Sequence, residues 1–316
     1  MRTLATLFAV LWKLAAVLLV YNLLLFVLRP VAHLDLDAGT ENLIIAERYL
    51  YGPAPAAVVV GSSMGRTLTE FLPANFYNLS FSGYSSVTGA EIVLRGALRP
   101  RIVVIETNVM DRSRNQAMVG QVFAEPHFSL HRYVPSLRYE YRPALLLVNT
   151  EHLHPDFSLS AFSAAALPAL PAVDIGLPPP SMREDDDPRL AAGLATQMAH
   201  DAAVDAAERA RIAAATRDMA AQVNELRARG VCVLLLRLPI HPQADASPLE
   251  RYQAEAVRAA LPPGDYSWIE IKDEASYHTV DGIHMTDPSA RRVAWIVANR
   301  ASQILRGAQS CAPAGP

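Results

Sequence analysis

The chain is 316 residues long, 51% hydrophobic and 19% charged, with 28 Lys and Arg against 31 Asp and Glu for a net charge of −3. That balance offers no basic footprint for nucleic acid, and the apolar content is enough for a buried core rather than a disordered chain. Two cysteines are too few for a disulfide framework and leave the redox compartment open.

Residues 4–28 are almost entirely apolar and end in Leu23-Leu24-Leu25-Phe26-Val27-Leu28 before Arg29 and Pro30. At ~1.5 Å per residue, such a helix is long enough to cross the ~30 Å hydrocarbon core of a bilayer. Lys13 interrupts it at a cost of about 2.5–3.5 kcal/mol on insertion scales, so it snorkels or the true span lies nearer Leu14 to Leu28. A cleaved secretory signal is the rival reading. The apolar run exceeds the roughly 7–15 residues of such signals and no A-x-A site follows, which favours an uncleaved anchor. Arg2 and the terminal amine on one flank, against Arg29 with Asp35, Asp37 and Glu41 on the other, point to a cytoplasmic N-terminus and a domain outside it. The expected division is an anchor over 1–30, a linker and entry to the domain over 31–55, one α/β domain over 56–308 with an insertion at 111–200, and a tail over 309–316.

The first strand is Ala56 to Val60, a β-branched run that stops at Gly61-Ser62-Ser63-Met64. Ser63 then sits where a strand hands over to a helix. Its hydroxyl lies beyond the carboxyl end of a buried strand, and helix N–H groups are near enough to stabilise an oxyanion. Gly-Ser-Ser is also ordinary turn and N-cap chemistry, so the serine alone decides nothing. Phe76 to Leu79, a helix from Ser86 to Leu98 and the strand Arg101 to Ile105 follow. Short apolar strands separated by helices imply parallel pairing through right-handed crossovers, with ligands bound beyond the carboxyl ends of the strands.

From Asp111 to about His200 the pattern breaks down. Phe123 to Asn149 reads as a partly helical cap and the proline-rich, acidic stretch Leu167 to Pro188 as a surface loop, or both as an ordinary surface excursion. His152 and His154, two apart before Pro155, lack the helical spacing of a zinc motif and no third ligand follows, so no metal is expected.

Regular structure resumes with an alanine-rich helix, Ala202 to Arg229, closed by Gly230, then the strand Val231 to Leu236. Arg237 and His241 leave that strand toward the same edge and are candidate substrate contacts, though a loop arginine commonly pairs with a neighbouring acid. A helix from Pro248 to Leu261 and a strand from Tyr266 to Ile271 bring the count to about five strands. Asp281-Gly282-Ile283-His284 then forms a polar loop before a helix from Ser289 to Leu305. Asp and His three apart in a loop can reach one another, which lets a carboxylate fix the tautomer of an imidazole that takes a proton from serine. An Asx turn beside a solvated histidine is the plain alternative.

Taken together, Gly61-Ser62-Ser63, Ser80-Phe81-Ser82-Gly83, Glu106-Thr107-Asn108 and Asp281-x-x-His284 resemble, in order and spacing, the four blocks of the SGNH (GDSL-like) hydrolase superfamily. Ser62 replaces the usual aspartate, Glu106 stands where many members have glycine, and Val109 where many have aspartate. The resemblance implies a flavodoxin-like three-layer α/β/α sandwich. It casts Ser63 as nucleophile, His284 as base and Asp281 as its orienter, with Ser63, Gly83 and Asn108 forming the oxyanion hole and no cofactor required. With an anchor, the chain looks like the bacterial inner-membrane proteins whose periplasmic SGNH domains O-acetylate cellulose, alginate or peptidoglycan, or D-alanylate teichoic acid. Such proteins commonly work with a multi-spanning membrane O-acyltransferase that delivers the acyl group. The expectation is therefore an O-acyltransferase acting on a polysaccharide. The alternatives are an acetylesterase or lipase-like esterase of the same fold, or an inactive glycan-binding subunit.

Overall fold

The structure, a computed structural model, describes residues 2–28, 37–142, 188–200, 204–272 and 276–311. His152, His154 and the stretch 167–187 read as a surface loop lie outside the described residues. In chain order the elements begin with α1 (Arg2–Leu28), α2 (Ala38–Tyr51), β1 (Ala57–Gly61), α3 (Ser63–Arg66), β2 (Phe76–Ser80), α4 (Ser86–Arg95) and β3 (Ile102–Glu106). They continue with α5 (Gln116–Val122), α6 (His127–Tyr133), α7 (Pro188–His200), α8 (Ala206–Ala228), β4 (Cys232–Leu236) and α9 (Pro242–Asp245). The last are α10 (Pro248–Ala260), β5 (Ser267–Ile269) and α11 (Asp287–Leu305). Two compact units emerge, residues 1–51 with 120–173 and residues 52–119 with 174–316.

In the first unit, Ala5–Val27 of α1 is long and apolar enough to cross a membrane. The stretch read as a linker holds α2 instead. Asp37 Oδ1 accepts from the Gly39 and Thr40 N–H groups at 3.0 Å, and Leu43, Ile44, Ala46, Tyr49 and Leu50 are buried. A helix this short is decided by packing more than by propensity, so its apolar spacing is a faint signal. The short turns after α6, Pro135–Leu137 and Tyr139–Tyr141, are held to α1 and α2 by polar contacts. Asn22 Nδ2 donates to Ser136 Oγ at 2.9 Å and Asn22 Oδ1 accepts from Ser136 N at 3.0 Å. Buried Glu47 accepts from Tyr139 N at 2.7 Å and pairs with His131 at 2.7 Å, while Arg48 donates to Glu140 at 2.6 Å.

The second unit is built on a five-stranded sheet in the order β2-β1-β3-β4-β5, parallel at every pairing. Val59 lies opposite Val104 and Asn78, and Ile105 opposite Leu235. Strands covered on both faces read as unbroken apolar runs, which is why β1, β3 and β4 were legible. Ala57, Val59, Ile102, Val104, Leu234 and Leu236 share a core with Val293, Ala294, Val297 and Ala301 of α11. On the other side, α4 and α8 pack against each other and onto the strands. Cys232 at the start of β4 and Cys311 form a disulfide spanning 79 residues.

Candidate active site

Parallel pairing in one register brings the ends of β1, β2 and β3 to a common edge. β1 ends at Gly61 opposite Ser80, and Ser63, Gly83 and Asn108 follow their strands by two or three residues. Ser62 is the N-cap of α3, its Oγ accepting from Met64 N at 3.1 Å, so Ser63 becomes the first residue of the helix. The loop before α11 crosses the same edge. There His284 Nε2 lies 2.9 Å from Ser63 Oγ, and His284 Nδ1 lies 2.6 Å from Asp281 Oδ2.

The carboxylate decides the direction of these bonds. An ionised Asp281 only accepts, so Nδ1 carries the ring proton and Nε2 is left to accept from the Ser63 hydroxyl. Asp281 Oδ1 also accepts from His284 N at 2.8 Å and from Ile283 N at 3.1 Å. Burial alone would raise the Asp281 carboxyl. The hydrogen bonds from the His284 ring and backbone, the His284 charge and the Ile283 N–H outweigh it and bring the group down to about 2. Asp281 is therefore ionised at neutral pH, as an orienting carboxylate must be.

Beneath the serine turn lies a second carboxylate. Glu106, at the end of β3, is 2% exposed. Its Oε2 accepts from Ser62 N at 2.8 Å and Gly65 N at 3.0 Å, and its Oε1 accepts from Ser62 Oγ at 2.6 Å. A side chain at position 65 would leave no room, because its Cβ would stand 2.7 Å from both Glu106 Oε2 and Ser80 Oγ. Burial raises the Glu106 carboxyl above its ordinary range, against the pull of the Ser62 hydroxyl, the Ser62 and Gly65 N–H groups and the His284 charge. Ser62 and Glu106, read singly as departures from the SGNH pattern, are thus the two ends of one hydrogen bond. The reading of the residues missed this partnership, since nothing local ties positions 44 residues apart.

Asn108 is fully buried. Its Oδ1 accepts from Leu238 N at 2.7 Å and its Nδ2 donates to Leu238 O at 2.9 Å, which orients the amide and leaves its second N–H for another acceptor. Gly83 lies in the turn between β2 and α4. Arg237, a candidate substrate contact, is instead paired with Asp245 and Glu250, and its side chain is 15% exposed. A guanidinium that deep needs carboxylates from the fold itself, and Nη2 meets both of these. His241 caps α9 through Nδ1, which accepts from Gln243 N at 3.3 Å, and its backbone N–H donates to Gly282 O at 2.9 Å. The structure thus places His241 beside the loop that bears Asp281 and His284, through its backbone.

One further element reaches this loop. A Cβ at Gly193 of α7 would stand 2.6 Å from Asp281 Cα, so α7 meets the loop backbone with no side chain between. Ala192, Gly193, Thr196, Gln197, Asp281 and Ile283 line an open cleft of about 330 Å³. The irregular composition on either side of α7 hid this helix from the reading of the residues. Among the described residues, no group of three or more His, Cys, Asp and Glu side chains is arranged to hold a metal ion. Comparisons of the chain with models of protein families, with curated proteins and with solved structures gave no match.

Proposed function

We propose that this chain is a membrane-anchored serine O-acyltransferase of the SGNH type, acting outside the cytoplasm on a polysaccharide. The observation that carries the reading is the continuous relay from Ser63 Oγ through His284 to Asp281, with contacts of 2.9 and 2.6 Å. A serine hydroxyl is a weak nucleophile until a base within hydrogen-bond reach takes its proton, and that base needs a fixed tautomer. Three things add support: the order of the four sequence blocks, the strand order 2-1-3-4-5 of flavodoxin-like sheets, and a disulfide of the kind that persists in oxidising compartments. The apolar span of α1 supplies the anchor.

In this reading Ser63 Oγ attacks the donor's acyl carbonyl while its proton passes to His284 Nε2. Negative charge on the carbonyl oxygen is met by the Ser63 and Gly83 N–H groups and the remaining Asn108 N–H. Collapse expels the donor's alkoxide, which takes the proton from His284 and leaves an ester on Ser63. A sugar hydroxyl then gives its proton to His284 and attacks that ester, releasing the O-acyl sugar and restoring the Ser63 hydroxyl. The acyl donor is delivered by a multi-spanning membrane O-acyltransferase.

The test is acid release from an aryl acetate by the full chain in detergent, wild type beside Ser63→Ala, with neutral, uronic and amino-sugar oligosaccharides titrated in. Ser63→Ala should lose turnover by up to about a million-fold. Mass spectrometry should find an acetyl increment on one oligosaccharide class with the wild type only. Acid release with no acylated sugar would make the protein an esterase. Equal turnover in the two proteins would overturn the assignment.

A further inference from the structure

We propose that the segment from α6 to Tyr141 is a membrane-surface platform, lying on the bilayer that α1 crosses; this rests on reading α1 as a membrane span. Among the described residues, the large apolar side chains left exposed outside α1 are Leu130, Tyr133, Leu137 and Met198, at 44%, 78%, 38% and 44%. Three of those four fall within one short stretch of the first unit. Leu130 and Tyr133 stand three apart on α6 and share a helix face, and Leu137 follows in the next turn. Soluble proteins scatter such residues singly, whereas a cluster marks a surface with a partner.

The partner is identified by what holds the stretch in place. Ser136 is joined to Asn22 of α1 by two hydrogen bonds, and the Tyr21 hydroxyl donates to Tyr141 O at 2.6 Å. Asn22 lies five residues, about 8 Å at ~1.5 Å per residue, inside the Val27 end of the span Ala5–Val27, in the outer part of the hydrocarbon core next to the headgroups. Tyrosine, with tryptophan, is enriched near that level. A stretch bonded to Asn22 shares its depth, so Leu130, Tyr133 and Leu137 meet the boundary between acyl chains and headgroups. Arg132 and Arg142, both exposed, flank the apolar residues and suit an anionic lipid surface.

The full chain is reconstituted into vesicles of phosphatidylcholine and phosphatidylglycerol after placing a single cysteine by Tyr133→Cys, Trp12→Cys or Glu255→Cys. No free cysteine competes for an environment-sensitive fluorophore under non-reducing conditions. The label at 133 should emit to the blue of the label at exposed residue 255. It should also be quenched more by a nitroxide near the headgroup than by one near the chain end, in keeping with a depth of about 5–10 Å. The label at 12 should show the reverse preference. If the label at 12 is quenched while that at 133 behaves like that at 255, the platform is overturned and the span stands. If all three behave alike in the absence of quenching, the span and the platform fall together.

Discussion

Glu106 and Asp281 both feel the charge of His284, and their surroundings move them in opposite directions. Asp281 is held low, so the stability it contributes is complete above its ordinary value of 3.8 and is lost as pH falls toward about 2. Glu106 is raised, so the folded chain keeps a proton that the unfolded chain releases. Its contribution is complete below its ordinary value of 4.5 and drains away as pH rises through the raised value. Denaturant titrations of wild type and Glu106→Gln should therefore diverge: the wild type should lose stability relative to the variant as pH rises above 4.5. A constant difference across that range would show that Glu106 titrates as an ordinary acid. Glu106→Ala strands the Ser62 and Gly65 N–H groups in a dry site, at about 1–3 kcal/mol each. It should lower both stability and turnover, and an unchanged unfolding midpoint would remove Glu106 from the support of the turn that carries Ser63. Ser63, Asp281 and His284 were legible because their chemistry is written in adjacent letters: a strand ending in Gly-Ser-Ser, and an acid three residues before a histidine. The Ser62–Glu106 bond was not legible, because only the pairing of β1 with β3 brings its ends together.

The helix α7 shows the same limit one level up. Strands β1, β3 and β4 announce themselves as β-branched or aliphatic runs, α8 by an alanine-rich run closed by Gly230, and α11 by an early proline. Helix α7 has a mostly exposed, alanine-rich surface, and it is fixed by Leu194, which packs against the sheet's core, and by the contact of Gly193 with the backbone of Asp281. That contact has a functional reading, because a displacement of ~1 Å at a catalytic group can cost about 100-fold in rate. Gly193→Val pushes branched carbon into the Asp281 backbone. It should lower turnover on an aryl acetate by about that factor in protein that still melts cooperatively, although Leu194 and Ile283 beside the contact pack against the sheet's core. Wild-type turnover in this variant would show that the loop keeps its geometry without α7. Arg237 carries the opposite lesson: a basic residue leaving a strand toward the site is taken up by Asp245 and Glu250, acids supplied by α9 and α10.

For the chain as a whole, the Cys232–Cys311 bond is the one covalent link between distant parts of the described structure. Closing a loop of 79 residues constrains the unfolded chain by about 4.5 kcal/mol in the chain-entropy model. Reduction, or Cys311→Ser, should lower the melting temperature by roughly 10 °C, read by circular dichroism with and without reductant. An unchanged melt would mean that the tail contributes nothing to the fold. The bond also has a topological consequence. It encloses β5, the loop bearing Asp281 and His284, and α11, while Ser63 lies on the stretch that leads into Cys232. A protease that cuts once between Cys232 and Asp281 therefore produces two fragments that cannot part. Ser63 stays on one and His284 on the other, joined through sulfur, so a nicked molecule runs as a single band until a reducing agent separates it.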